Sequence, residues 1–287
     1  AQFYNPLRQI AALWTSFQVA LAGWDRISQI LVQENNLVVI PSEKQTDDQF
    51  LLSFKNVTFS YVPDKEILSN VSFDLERGKT YAFVGPTGGG KTTTASLIAR
   101  LYDPTSGQVL LNGTDIRSLD ASTRAAKIGF ILQEPFLFTG TIRDNILYGN
   151  ECFNDLTDDE LMKELKEVRL DGLLERFEGG LAAEIKSTGE GISLGQRQII
   201  AFIRAVIRRP DLLILDEATA NIDTVTEQLL DDILHKLPDS TTRIIIAHRL
   251  NTIENADEIY FVNSGQVTKA GSMQDAVELL LRGKRES

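Results

Sequence analysis

The stretch that most constrains this chain runs from Gly85 to Thr94 and reads GPTGGGKTTT. Its three consecutive glycines, Gly88 to Gly90, bring no side chain to a core and cost backbone entropy. Before it lies an apolar run ending at Val84, with the texture of a buried strand. After it, Lys91 to Tyr102 reads as a helix. The spacing Gly85-x-x-x-x-Gly90-Lys91-Thr92 is that of a phosphate-binding loop. In that reading the backbone through Gly85, Pro86, Thr87, Gly88, Gly89 and Gly90 bends into an anion nest. The helix end bearing Lys91, Thr92 and Thr93 adds unpaired N–H donors and the positive end of a dipole. Lys91 would reach the β- and γ-phosphates, and the Thr92 hydroxyl would ligate Mg²⁺. The alternative is a glycine-rich turn that happens to precede a lysine, and the strand–loop–helix context argues against it.

A loop of this kind needs a strand to stand on. Two nearly unbroken apolar runs, DLLILDE and TRIIIAH, read as strands buried on both faces, as in parallel sheets covered by helices. Residues 51–62 have the β-branched and aromatic texture of strands. Hairpin signals occur within GQVLLNGTDI and at Ser264-Gly265. The expected fold is α/β: a phosphate-loop NTPase core with a mostly parallel sheet and an antiparallel β subdomain before the loop. An α-helical subdomain is expected from about 141 to 209.

The neighbours of a terminal phosphate decide what such a loop does. Asp216 ends the strand LLILDE and can hold Mg²⁺ through water, while Glu217 faces the other way and can orient or deprotonate an attacking water. Without the loop, this pair of acids reads equally well as a helix cap. Gln133 follows the strand KIGFIL, where its amide could reach both metal and water, or could be an ordinary surface glutamine. His248 follows TRIIIA and could bond a γ-phosphate oxygen, although a lone histidine is more often structural.

The chain has 287 residues and a formal charge of −11, which disfavours a nucleic-acid partner. Cys152 stands alone, so no internal disulfide forms and a reducing compartment fits. The chain begins with alanine and reads as a piece of something longer. No stretch reaches the roughly 18–20 apolar residues of a membrane span. Leu7, Ile10, Trp14, Phe17, Leu21, Trp24 and Leu31 recur at spacings of three and four, with Ser28 at the remaining place. This is a heptad seam. It belongs to a helix lying on its own domain or to one from a bundle outside this piece. Residues 41–49 are polar and read as a linker.

Together these residues resemble the nucleotide-binding domain of ATP-binding cassette (ABC) transporters, over roughly 240 residues from Leu51 onward. The decisive stretch is ISLGQRQ, 192–198, placed shortly before LLILDEAT, where the family carries its signature motif. FSYVPDKEIL, GPTGGGKT, ILQEPFLF, LLILDEATANID and IAHRL follow the family's order. The resemblance implies that Tyr61 stacks on adenine and that Asp216 and Glu217 are the metal-associated acid and the catalytic carboxylate. It makes His248 the switch histidine and Asp223 the D-loop acid. It implies ATP and Mg²⁺ as ligands. Ser193, Gly195 and Gln196 would face an ATP held by a second nucleotide-binding domain. Independently, Ser193-x-x-Gln196 is a capping box opening a helix that ends at Arg208-Arg209.

PFLFTGTIRDNILYG, 135–149, and the Gly-Glu-Gly at 189–191 look like the exporter branch. The first 40 residues then look like the cytoplasmic end of a last transmembrane helix, and residues 50–287 like the ATP-binding domain. That implies a half-transporter at the cytoplasmic face of a membrane, partnered by its own transmembrane domain and a second ATP-binding domain. The signature departs from the family at Ile192 and at Leu194, which replaces a glycine where backbone would approach phosphate. An altered signature beside an intact Glu217 suits a heterodimer over a homodimer. The competing readings are a non-transport clamp of the same family, which lacks support without long coiled coils, and a regulatory ATP-binding module.

Overall fold

The computed structural model describes residues 4–32, 37–41, 49–150, 153–186, 191–216, 224–235, 237–246, 255–271 and 275. The chain divides into two compact units, 1–38 and 39–287.

The first unit is one helix, α1 (Tyr4–Leu31), and it carries every position of the heptad seam. None of its residues is buried. Trp14 and Phe17 lie 6.1 Å apart along the seam. Ser28, the polar member, turns its hydroxyl onto the Asp25 carbonyl at 3.0 Å and so satisfies itself locally. No helix among the described residues is long and apolar enough to cross a membrane.

The second unit holds two sheets. Strands β1 (Leu52–Val62), β2 (Lys65–Leu75), β4 (Ser106–Leu111) and β5 (Thr114–Asp115) form an antiparallel sheet in the order β2-β1-β4-β5. Strands β3 (Thr80–Val84), β6 (Ile128–Ile131), β9 (Leu212–Asp216), β10 (Thr242–Ile246), β11 (Glu258–Asn263) and β12 (Gln266–Ala270) form the second. Their order is β12-β11-β3-β10-β9-β6. All its pairings are parallel except β11 with β12. The expected mixed architecture is present, with one correction. Half of the antiparallel sheet, β4 and β5, comes after the glycine loop in sequence, because β1 needs a partner on each side.

Alternation along β9 shows how the two cores share the sheet. Leu213 and Leu215 enter a core with the helical subdomain, whereas Leu212 and Ile214 enter a second core with the antiparallel sheet. All five β9 residues are buried, as a strand covered on both faces must be. The helical subdomain comprises α4 (Ile142–Leu147), α5 (Asp158–Glu167), α6 (Asp171–Leu174) and α7 (Leu194–Val206). The unit also holds short helices α2 (Lys91–Ile98) and α3 (Ala121–Lys127), and then α8 (Thr224–His235). A strand pair that periodicity does not reveal joins β7 (Gly140–Thr141), just before α4, to β8 (Glu184–Ile185), ahead of α7.

Two helices stop sooner than their sequences suggest. α2 ends at Ile98 because Arg100 adopts a left-handed φ of 50°. Its N–H then bonds Leu97 O and that of Leu101 bonds Ser96 O, the Schellman pattern. The Arg100 side chain, almost wholly buried, donates to Asp103 and to the Arg117 carbonyl, which holds it in that shape. Similarly, α7 ends at Val206, and Arg209 takes φ 50° ahead of Pro210.

Candidate functional site

The glycine loop leaves the end of β3, the central strand flanked by β10 and β11. A Cβ on Gly85 would stand 1.9 Å from the Val262 carbonyl of β11 at a φ of +151°, so only glycine fits. Gly90 caps α2 with φ 112°, and no side chain bonds the first N–H groups of that helix. Those donors point away from the helix and suit an anion. The β11–β12 turn braces the loop through Gly265 N–H to Gly89 O at 3.4 Å.

Lys91, Thr92, Thr93, Tyr61 and Asp216 come together here. Lys91 is buried and its Nζ donates to Gly85 O and Pro86 O, each at 2.9 Å. Thr92 Oγ1 lies 3.3 Å from Asp216 Oδ1, although the two residues stand on α2 and at the tip of β9. A hydroxyl and a carboxylate presented together are hard oxygen donors that fit Mg²⁺, which usually takes few protein oxygens and completes its shell with water and phosphate. No cluster of three or more His, Cys, Asp or Glu side chains that could hold a metal occurs among the described residues. Thr93 Oγ1 lies 3.2 Å from the Tyr61 hydroxyl, which ties the end of β1 to α2. The Tyr61 ring packs edge-on against Phe59 and Tyr102, with centroids 4.8 and 5.0 Å away, and half its surface is open.

Gln133 follows β6, whose Ile131 pairs with Leu215 of β9, so its segment leaves the sheet beside the tip of β9. Glu217, Asp223 and His248 lie outside the described residues, as do Cys152 and the Gly189-Glu190 pair. The strands preceding Glu217 and His248 do end side by side, with Asp216 opposite Ile246.

Ser193, Gly195 and Gln196 stand elsewhere, at the start of α7. Ser193 Oγ accepts from Gln196 N–H at 3.1 Å, and Gln196 Oε1 accepts from Ser193 N–H at 3.0 Å. The capping box read from sequence is therefore formed, and Gln196 Nε2 also donates to the Arg176 carbonyl at 3.0 Å. Leu194 is the first residue of the helix.

Two neighbours of the site carry no motif of their own. Tyr102 lies beside Tyr61 only because the chain turns sharply at Arg100. Arg204 of α7 donates to Asn145 O at 2.7 Å and Phe136 O at 3.2 Å, and burial, reinforced by Arg208, lowers its pKa to about 10. It lines a groove of about 250 Å³ with Leu132, Phe136 and Tyr148, three exposed apolar residues. No periodicity marks either residue, since both placements are tertiary.

Residues 68–220 match the domain family described as ABC transporter. The chain belongs to the ABC transporter family. It carries that family's ATP-binding ATPase domain. It is 39% identical over 282 residues to the uncharacterized ABC transporter ATP-binding protein YfiC of Bacillus subtilis, covering 96% of this chain and 45% of that protein. It is 36% identical to the fatty acid ABC transporter ATP-binding/permease protein of Mycobacterium bovis, covering 98% and 43%. A bacterial Atm1-family ABC exporter solved with ATP bound superposes with a TM-score of 0.77 at 29% identity, over 99% of this chain and 50% of that one. The chain thus spans less than half the length of the curated relatives it matches.

Proposed function

We propose that this ABC domain binds MgATP at its phosphate loop, closes on a second ATP-binding domain and hydrolyses the nucleotide to drive export through a transmembrane domain on the same polypeptide. The observation that carries the reading is the meeting of Thr92 and Asp216 beside the side-chain-free N-terminus of α2. Mg²⁺, when bound, would offset the negative charge of the phosphate chain. Thr92 and Asp216 would hold it, with the Gln133 amide. Lys91 exchanges its two loop carbonyls for phosphate oxygens, and the loop N–H groups hold the phosphate chain in place. Tyr61 supports the adenine. Glu217 orients the attacking water and takes its proton, while His248 steadies the γ-phosphate.

Ser193, Gly195 and Gln196 serve the ATP of the partner domain, with Asp223 at the same interface. The start of α7 is held by its own capping box and by a bond to the Arg176 carbonyl. Leu194 puts a side chain at that helix start, which supports a partner with an unaltered signature and hence a heterodimer. The apolar groove beside Arg204 would seat the transmembrane domain on the cytoplasmic face of the membrane, and α1 would continue its last span.

Phosphate release by the purified chain with its partner, compared with a Glu217→Gln variant, tests the reading. Loss of a general base typically costs about 100-fold or more in turnover. Unchanged turnover in the variant would remove Glu217 from catalysis.

A further inference from the structure

Gln198 lies on α7, one turn past the capping box, and is almost completely buried. Its Nε2 donates to two consecutive carbonyls, Gln133 O at 2.5 Å and Leu132 O at 3.4 Å. Only the amide nitrogen can serve two carbonyls, which fixes the orientation of the group. Its Oε1 is buried and has no hydrogen-bond partner. A buried amide with one end unsatisfied is poor packing material, since an apolar residue of the same shape would avoid that cost. The end that is satisfied grips the backbone of the one described residue expected to read both metal and attacking water.

We infer that Gln198 is a positioning residue that clamps the backbone of Gln133 to the signature helix α7. The inference rests on the role proposed above for Gln133 and adds the group that places it. Elsewhere in the first turn of α7, Ser193 and Gln196 bond each other, and Gln196 bonds Arg176. Gln133 itself is exposed and follows β6, where ladder hydrogen bonds no longer fix the chain. Without the clamp, the backbone that carries its amide loses an anchor at two consecutive carbonyls. The clamp also joins, within one chain, the segment that senses the chain's own nucleotide to the helix that faces the nucleotide of its partner.

Three variants of the full-length transporter test this: Gln198→Met, which keeps length but removes the donor, Gln133→Ala, and the two combined. Misplacing a catalytic amide should lower kcat by about 10-fold, with the KM for ATP within about 2-fold because the adenine and phosphate contacts are untouched. The double variant should be no slower than Gln133→Ala alone, because both changes act through one group. Losses that multiply to about 100-fold, or an unaltered kcat in Gln198→Met where Gln133→Ala is slowed, would overturn the inference. Should Gln198→Met fail to fold, Gln198→Ala, which lets water reach both carbonyls, replaces it. Hydrogen exchange of residues 131–138 separates the two readings. Faster exchange in the Gln198 variant, together with wild-type turnover in Gln133→Ala, upholds the clamp and rejects the catalytic role of Gln133. Unchanged exchange rejects the clamp whatever the turnover.

Discussion

Gly85 and Gly88 make different demands on their neighbourhood, and replacing each by alanine separates them. At Gly85 the new methyl would meet the Val262 carbonyl at 1.9 Å, so β3 and β11 must part. The expected loss is about 3 kcal/mol or more, among the large values that backbone displacement in a core produces. At Gly88 the methyl meets open space and suffers only its φ of +80°, a penalty of about 1–2 kcal/mol. Urea unfolding of both variants measures the difference, and equal losses would contradict the close approach. Tyr61→Ala should weaken ATP by about 10-fold, the scale of one stacked base, while leaving the fold intact because the ring is half exposed. Titration calorimetry reads this directly. That Lys91, Thr92 and Asp216 would lie together was legible because the loop and the acid-tipped strand recur at fixed spacing. Tyr102 and Gln198 were not, since the first depends on a left-handed turn at Arg100 and the second on how α7 lies against β6.

Capping governs the elements that carry the site. Ser193→Ala should cost about 1 kcal/mol, the usual worth of an N-cap hydroxyl, and should loosen the start of α7. Circular dichroism melting measures the cost. Thr141 and Asp144 form the same reciprocal box at α4. The Thr141 backbone N–H, and then its hydroxyl, hold the Asp144 carboxyl below its ordinary value. A lowered folded-state pKa means the contribution is complete above the unfolded value and is lost as pH falls through the folded one. Asp144→Asn should therefore lower stability at neutral pH, leave it little changed below the folded-state pKa and so flatten the acid limb of the stability–pH curve, as denaturant titrations at several pH values would reveal. These boxes could be read from sequence because they are local. The β7–β8 pair could not, because its strands are two residues long and far apart in the chain. Likewise, the antiparallel sheet was legible as strands but not as a sheet that borrows β4 and β5 from beyond the loop.

On the scale of the whole molecule, the two groups of residues proposed to serve nucleotide stand on different elements. Tyr61, Lys91, Thr92 and Asp216 gather around α2, whereas Ser193 and Gln196 gather at α7. Under the proposed function, a chain arranged this way needs a second domain to complete each site. Leu194→Gly in a Glu217→Gln background should raise MgATP-driven self-association by about 10-fold, the effect of roughly 1.4 kcal/mol of relieved crowding. Sedimentation velocity measures it, and no change would count against Leu194 as the obstacle to homodimers.

The brace on Gly85 has a consequence for biogenesis. The carbonyl that shapes the loop belongs to Val262, in the final strand pair of the described chain. A ribosome releases the loop long before it releases β11. Nascent chains should thus acquire nucleotide competence late, in a single step, when the C-terminal hairpin docks on β3.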